Sequence, residues 1–293
     1  MRAGIFVLVI LASLASIGYA QTFSETIKKE MSFEKKSSDN AVIVANINGS
    51  IRVVGYDGDK VVLEVEKKIN AKTSERLEQG KQQIQLGVID NVDTLIFYVS
   101  GGCNTFSKNT KHGTWGYNWN NCNNNNSCHE GYDYNMNFTL KIPSAVHLTV
   151  STINDGDISV ENVKGKVNAN NINGHIKLSN LTQAAVASTI NGNVDVEYSQ
   201  NPQTDCRFYT LNGDINANFQ KGLGAKLSFE SFNGNFYTNV DQLVPLPLIM
   251  EKGNIDKGIK YKVKGNNYQV GKGGALLDFE TFNGNVYLKE KTN

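Results

Sequence analysis

The sequence predicts an all-β protein. Its main body reads as a parallel β-helix, a β-solenoid with about two strands in each coil of 18–21 residues, preceded by a less regular β region. Three observations predict it. The unit apolar–Asn–Gly–polar–apolar recurs along the chain, in "NINGSIRVV" at Asn46, "NINGHIKLS" at Asn171, "TINGNVDVE" at Thr189, "TLNGDINAN" at Thr210, "SFNGNFYTN" at Ser231 and "TFNGNVYLK" at Thr281. The segments after these units alternate apolar and polar residues. Glycine is plentiful (27) and proline scarce (4), which suits many tight turns between short strands.

The repeat carries most of the argument. Asn154, Asn173, Asn191, Asn212 and Asn233 recur every 18 to 21 residues, and Asn48 and Asn283 mark outlying copies. The first copy of the regular run, "TINDGDISV", holds an extra residue, Asp155. Weaker half-repeats, "NVKGKVNAN" at Asn162 and "NLTQAAVAS" at Asn180, lie between, so each period holds two strands and two turns. In "HIKLS" Ile176 and Leu178 face one way; in "NVDVE" Val194 and Val196 do so; in "KVNAN" Val167 and Ala169. A period of two is a half-buried strand. One Asn-Gly is an ordinary hairpin turn. Many at a fixed period mark a stack in which each coil buries a face that it cannot bury alone. The asparagines are then corners, expected to form a ladder. An antiparallel sandwich of short strands is the alternative.

Residues 1–20 read as a signal peptide: Met1-Arg2, an apolar run over Ile5–Ile17, then Gly18-Tyr19-Ala20, with cleavage after Ala20. Residues 21–150 form an N-terminal β region. "AVIVANI" at Ala41, "SIRVVGY" at Ser50, "KVVLEVEKKI" at Lys60, "TLIFYV" at Thr94 and "MNFTLKIP" at Met136 are strands, and Ser74–Gln83 is a short helix. A Cys- and Asn-rich insertion without periodicity occupies residues 101–132. Residues 151–293 hold the repeats, interrupted near 243–265. No later stretch is long and apolar enough to span a bilayer. The expected location is the periplasm, the cell surface or the medium.

The residues "YNMNFTLKIPSAVHLTVSTINDGDISVENVKGKVNANNINGHIKLSNL" and the closing "GKGGALLDFETFNGNVYL" resemble an exported bacterial β-strand-repeat family labelled "putative adhesin", a domain of unknown function. The resemblance implies a parallel β-helix outside the cytoplasm and brings no catalytic or binding residues with it. The insertion at 101–132 lies outside its pattern.

Four cysteines, Cys103, Cys122, Cys128 and Cys206, are candidates for disulfides in an oxidising compartment, and the pairing is open. Cys103, His112, Cys122, Cys128 and His129 also supply zinc-type ligands, but without a Cys-x-x-Cys pair; the expectation is no metal and no cofactor. Trp115, Tyr117 and Trp119 alternate in "HGTWGYNWNN" and would share one face of an extended segment. They are candidates for contact with a glycan or peptide, or they fold back onto the sheet as an anchor. Asp155, Asp157, Asp195, Glu197 and Asp214 are the acids with Arg52 and Arg207 as basic partners, all at turn or outward positions where charge is merely solvated. His175 and His147 read as exposed and structural.

With 29 basic against 28 acidic residues, nothing favours a nucleic-acid partner. The reading is therefore a non-catalytic, adhesin-like binding or scaffold protein of the cell envelope, expected as a monomer, whose envelope, glycan or protein partner is unknown. A self-assembling structural protein and a carbohydrate-active β-helix enzyme are the alternatives.

Overall fold

A computed structural model describes residues 21–101, 104–109, 114–118, 131–247, 249–255, 258–264 and 267–292. Residues 1–20, read above as a signal peptide, and Cys103, Cys122, Cys128, Trp119, His112 and His129 lie outside the described residues. Among the described residues the protein is all-β apart from one short helix, and long runs of parallel strands dominate. The chain falls into two compact units, one ending at Ile158 and the other starting at Ser159.

In the first unit, His147–Ser151, Ala41–Ala45 and Thr94–Ser100 pair in parallel, and Gln85–Asp90 adds an antiparallel edge. Facing strands Gln21–Met31, Val61–Ala71 and Tyr132–Pro143 pair antiparallel, and Ile51–Tyr56 joins Tyr132–Pro143 in parallel. Alternation sets the burial: Val61, Leu63, Val65, Ile69 and Ala71 are all inside. Lys67 shares that inner face. Its ammonium donates to the Lys81 carbonyl at 3.1 Å and lies 3.7 Å from Glu25 Oε2, which offsets the cost of burying a charge. The helix Ser74–Gln83 starts at Thr73, whose hydroxyl accepts from Arg76 N at 3.3 Å, and it docks through Leu77 and Gly80. Gln21–Met31 and Gln85–Asp90 were not legible as strands, because neither shows a clean apolar alternation.

The second unit is more regular. Val167–Asn170, Ala185–Asn191, Cys206–Asn212, Ala275–Asn283 and Ala225–Asn233 lie side by side, all parallel. Ile176–Leu181, Val194–Tyr198, Ile215–Phe219, Val286–Glu290 and Phe236–Thr238 do the same in the other sheet. Ala187, Phe208, Phe279 and Phe229 form one inner column. Val194, Ile215 and Val286 form another. Each such side chain contributes about 1.5–3 kcal/mol by leaving water.

The order of the stack corrects an expectation. The sequence suggests that coils follow one another, so that Asn212 would neighbour Asn233. Instead Cys206–Asn212 pairs with Ala275–Asn283, and Ala225–Asn233 lies beyond it. The last repeat is inserted between two earlier ones. Two glycine-bearing connections, "QKGLG" and "GKGG", lead into the neighbouring strands Ala225–Asn233 and Ala275–Asn283. A Cβ on Gly224 would lie 2.9 Å from Gly273 O, and one on Gly274 would lie 2.6 Å from Gly224 O. The two backbones therefore run side by side at a separation that leaves no room for side chains.

The segment near 243–265 is not structureless. Leu243–Pro245 pairs antiparallel with Asn267–Val270, which itself covers the Ala225–Asn233 edge, and Ile249–Ile255 pairs with Gly258–Lys264.

Candidate functional site

The corners of the second unit are built by three rows of side chains from the repeated motif and by its glycine. The row just before the apolar residue points inward. Thr189, Thr210 and Thr281 are buried, and each hydroxyl donates to a glycine carbonyl of the adjacent repeat. The acceptors are Gly174 O at 2.9 Å, Gly192 O at 2.7 Å and Gly213 O at 3.1 Å. Ser231 does the same to Gly284 O at 3.2 Å.

The asparagines form the second row. Asn191 donates to Asn173 at 2.8 Å, Asn212 to Asn191 at 2.9 Å, Asn283 to Asn212 at 2.8 Å and Asn233 to Asn283 at 2.8 Å, each from Nδ2 to Oδ1. In the first unit Asn154 donates to Asn48 at 3.2 Å. The extra residue Asp155 is accommodated there in a left-handed conformation, φ 57°.

Glycine follows because the coils approach too closely for a side chain. A Cβ on Gly192, Gly213 or Gly284 would sit 2.3, 2.1 or 1.9 Å from a carbonyl oxygen of the neighbouring glycine. The residue after glycine forms the next row. His175 Nδ1, Asn193 Oδ1, Asp214 Oδ1 and Asn285 Oδ1 accept the backbone N–H of Asn193, Asp214, Asn285 and Asn235 in turn, at 2.7–3.0 Å. His175 and Asp214 therefore hold the stack together. A further ladder, Asn180 Nδ2 to Asn162 Oδ1 at 3.0 Å, marks the half-repeats, and both residues take left-handed backbone.

One row contributes nothing to this scaffold. Ile172, Ile190, Leu211, Phe282 and Phe232 each directly precede a ladder asparagine; Leu211 is half-buried and the other four are exposed. Ile172 and Ile190 are each 38% exposed, Phe282 44% and Phe232 74%. The last two stack with ring centroids 4.8 Å apart and planes 5° from parallel. Beyond the asparagine corner a second pair, exposed Tyr237 and half-buried Tyr287, stacks at 5.1 Å. On the same face as the isoleucines, Val186, Ser188, Arg207 and Tyr209 line a shallow depression of about 360 Å³. The result is an apolar stripe running across successive repeats, bordered by amides. Alternation along "AVASTIN" already puts Ala185, Ala187 and Thr189 inside and Ile190 outside, so the signal was in the sequence. An apolar residue beside Asn-Gly was easy to read as core.

The other candidates fall elsewhere. Trp115–Asn118 forms a hairpin with Thr105–Lys108 in the first unit. The Tyr117 hydroxyl donates to Ala45 O at 2.9 Å and accepts from Val99 N at 3.0 Å. Burial raises its pKa well above the usual phenol value. Tyr98, Phe106 and Trp115 stack in sequence at 4.5 and 5.7 Å. Tyr117 is thus turned in as the hairpin's anchor, and its hydroxyl is not presented outward.

Cys206 is buried and free. Its sulfur lies 3.2 Å from the Tyr198 hydroxyl and donates to Thr204 O at 3.4 Å, a packed site facing the core. Desolvation pushes both the thiol and the Tyr198 phenol upward in pKa. Arg207 pairs with Glu280 at 2.7 Å and Asp278 at 3.7 Å, tying two neighbouring repeats together. Among the described residues no group of three His, Cys, Asp or Glu side chains is placed to hold a metal, and no helix is long and apolar enough to cross a membrane.

Residues 144–239 match the family model described as Toastrack DUF4097. Over that stretch, less than half of its length, the chain is similar to Toastrack DUF4097. That domain has no known function. The Toastrack segment includes the Asn154, Asn173, Asn191, Asn212 and Asn233 corners and stops before the inserted last repeat. Among solved structures, the chain is similar to a "putative cell adhesion protein" from Clostridium sporogenes ATCC 15579. The two are 12% identical, with 92% of this chain and 100% of the other covered and a TM-score of 0.46. It is also similar to a "putative adhesin" from Bacteroides fragilis NCTC 9343, at 13% identity, 91% and 97% coverage and a TM-score of 0.34. No curated protein matches this chain in sequence.

Proposed function

We propose that this protein is a non-catalytic β-solenoid with about two strands per coil, exported to the periplasm or surface of a bacterium. There it acts as an adhesin-like binding or scaffold protein of the envelope. The observation that carries the reading is the stripe of exposed Ile172, Ile190, Phe282 and Phe232, with half-buried Leu211 among them. Contiguous exposed apolar side chains rimmed by polar ones mark interaction surfaces. The scaffold does not need them, since the threonine, asparagine and glycine rows already hold the corner. A partner suited to the stripe is extended, with apolar faces and groups that bond to amides: an envelope polysaccharide or an extended polypeptide. Trp115, with Trp119, forms a second proposed contact on the 101–132 insertion. In an oxidising compartment Cys103, Cys122 and Cys128 would cross-link that insertion.

Co-sedimentation of the mature protein with isolated envelope fractions tests the reading. The expected result is binding that falls about tenfold in the Phe232→Ser/Phe282→Ser double variant. Undiminished binding by that variant would remove the stripe from the proposal. Failure of the native protein to sediment with any fraction would remove the proposal itself.

A further inference from the structure

The inserted last repeat has a consequence for how this protein meets a second copy of itself. Ala275–Asn283 and Val286–Glu290 fill a slot with a repeat on each side. On one side the slot offers Asp205 Oδ1 to Leu276 N at 2.8 Å, Arg207 to Glu280, Gly213 O to the Thr281 hydroxyl and Asp214 Oδ1 to Asn285 N at 2.7 Å. On the other side Leu223 N donates to Glu290 Oε1 at 2.7 Å, and Asn239 is paired with the Glu290 backbone through both its amide groups. The two walls, Cys206–Phe219 and Ala225–Thr238, precede the filler in the chain, so the slot is complete in sequence before the segment that occupies it. The filler is tied in through Gly271–Gly274, where Gly271 and Gly273 hold left-handed φ of 55° and 74°.

We propose that this slot is a strand-acceptor site, filled in cis by the chain's own last repeat and in trans by the same repeat of a second copy. Every contact just named is made by residues 275–290 whichever chain supplies them, so the exchanged form repeats the cis interface. Such exchange of an identical element is a low-cost route to a dimer. The glycine tether Gly271–Gly274 is the hinge that would reopen. The exchange proceeds through local opening of the last repeat, so its rate follows temperature. This proposal is independent of what the outward stripe binds.

A cross-link across the slot distinguishes the two arrangements. Ser231 and Thr281 are register partners on adjacent parallel strands. Such strands lie about 4.8 Å apart, within the roughly 4.4–6.8 Å that a disulfide bridges between Cα atoms. The Ser231→Cys/Thr281→Cys variant is prepared as the whole mature chain in light and heavy isotopic forms. The two are mixed, warmed below the melting transition, oxidised and digested. Linked peptides with one light and one heavy half, rising with protein concentration, are the expected result. Linked peptides of only matched isotopes, at every concentration, would overturn the proposal. The unsubstituted chain is followed in parallel by native mass spectrometry. Mixed-isotope dimers that survive dilution are expected there, and a monomer throughout, or a dimer without the hybrid link, overturns it.

Discussion

Asn283 donates its side-chain amide to Asn212 at 2.8 Å, although Asn233 is the next Asn-Gly in the chain and lies on the far side of Asn283. The ladder therefore follows spatial order, not sequence order. Asn212 makes two rungs, one to Asn191 and one from Asn283. Asn212→Ala removes both. Each exposed rung is worth about 0.5–1.5 kcal/mol net, so a loss of about 1–2 kcal/mol is expected from the urea midpoint, with an unchanged slope. Asn233→Ala removes a single ladder rung and should cost about half as much.

The glycine of the corner is a steric requirement. In Gly213→Ala the new Cβ would sit 2.1 Å from Gly192 O, and backbone cannot yield as a side-chain tip can. A loss of about 3 kcal/mol or more is expected. Gly116→Ala is the control: nothing lies within 4 Å of its Cβ position. Thermal melting should separate the two, with Gly116→Ala within about 0.5 kcal/mol of the native chain.

Thr210 tests whether the buried hydroxyl row matters or only its volume. It is fully buried and donates to Gly192 O at 2.7 Å. Thr210→Val keeps the shape and leaves that carbonyl without its hydroxyl donor, at a cost of about 1–3 kcal/mol. Thr210→Ser keeps the donor and loses one methyl, about 0.8 kcal/mol. Valine should be the more destabilising by equilibrium unfolding; serine being worse would show that packing, not the hydrogen bond, selects threonine.

Tyr117 tests the anchoring of the hairpin in the first unit. Tyr117→Phe keeps the ring against Phe106, 5.3 Å away, and removes the hydroxyl that serves Ala45 O and Val99 N. The strands stay paired, so global stability should fall by only about 1–2 kcal/mol. Limited proteolysis within residues 101–131 should accelerate more than the global melt predicts, because local opening of the hairpin needs less than full unfolding.

What the sequence displayed was the local code. The period of two in "NVDVE" and the fixed Asn-Gly spacing are consequences of side-chain geometry within one repeat, so the all-β class and the corners could be read directly. The position of the last repeat could not. "SFNGNFY" and "TFNGNVY" present the same groups at the same register, so either could follow Asn212, and the contacts particular to the observed order, Arg207 with Asp278 and Glu280, lie outside the motif. The strand Gln21–Met31 was hidden for another reason. None of its residues is buried, and it is held by backbone pairing with Val61–Ala71, which leaves no apolar pattern to see. The outward stripe was visible in phase but not in meaning, since alternation places Ile190 outside without saying why an isoleucine should stand there.

Alkaline pH probes three of the buried groups together. Cys206, with an ordinary value of 9.0, and Tyr198 and Tyr117, each with 10.0, have folded pKa values raised chiefly by desolvation. Above those ordinary values the unfolded chain releases protons that the folded chain keeps. Unfolding is then favoured, by up to about 1.4 kcal/mol per pH unit for each group. Lys67 acts in the opposite sense. Desolvation lowers its folded pKa below 10.5, so the folded chain loses that proton first, and its contribution to stability rises with pH until the unfolded lysine has titrated too. Stability should therefore hold to about pH 9, decline gently while Lys67 offsets Cys206 and the tyrosines, and fall more steeply above about pH 10.5, where the lysine no longer compensates. Urea midpoints between pH 8 and 11.5 measure the curve. Lys67→Met should remove the offset and steepen the decline between pH 9 and 10.5, whereas an identical curve in that variant would show that the lysine does not titrate in this range.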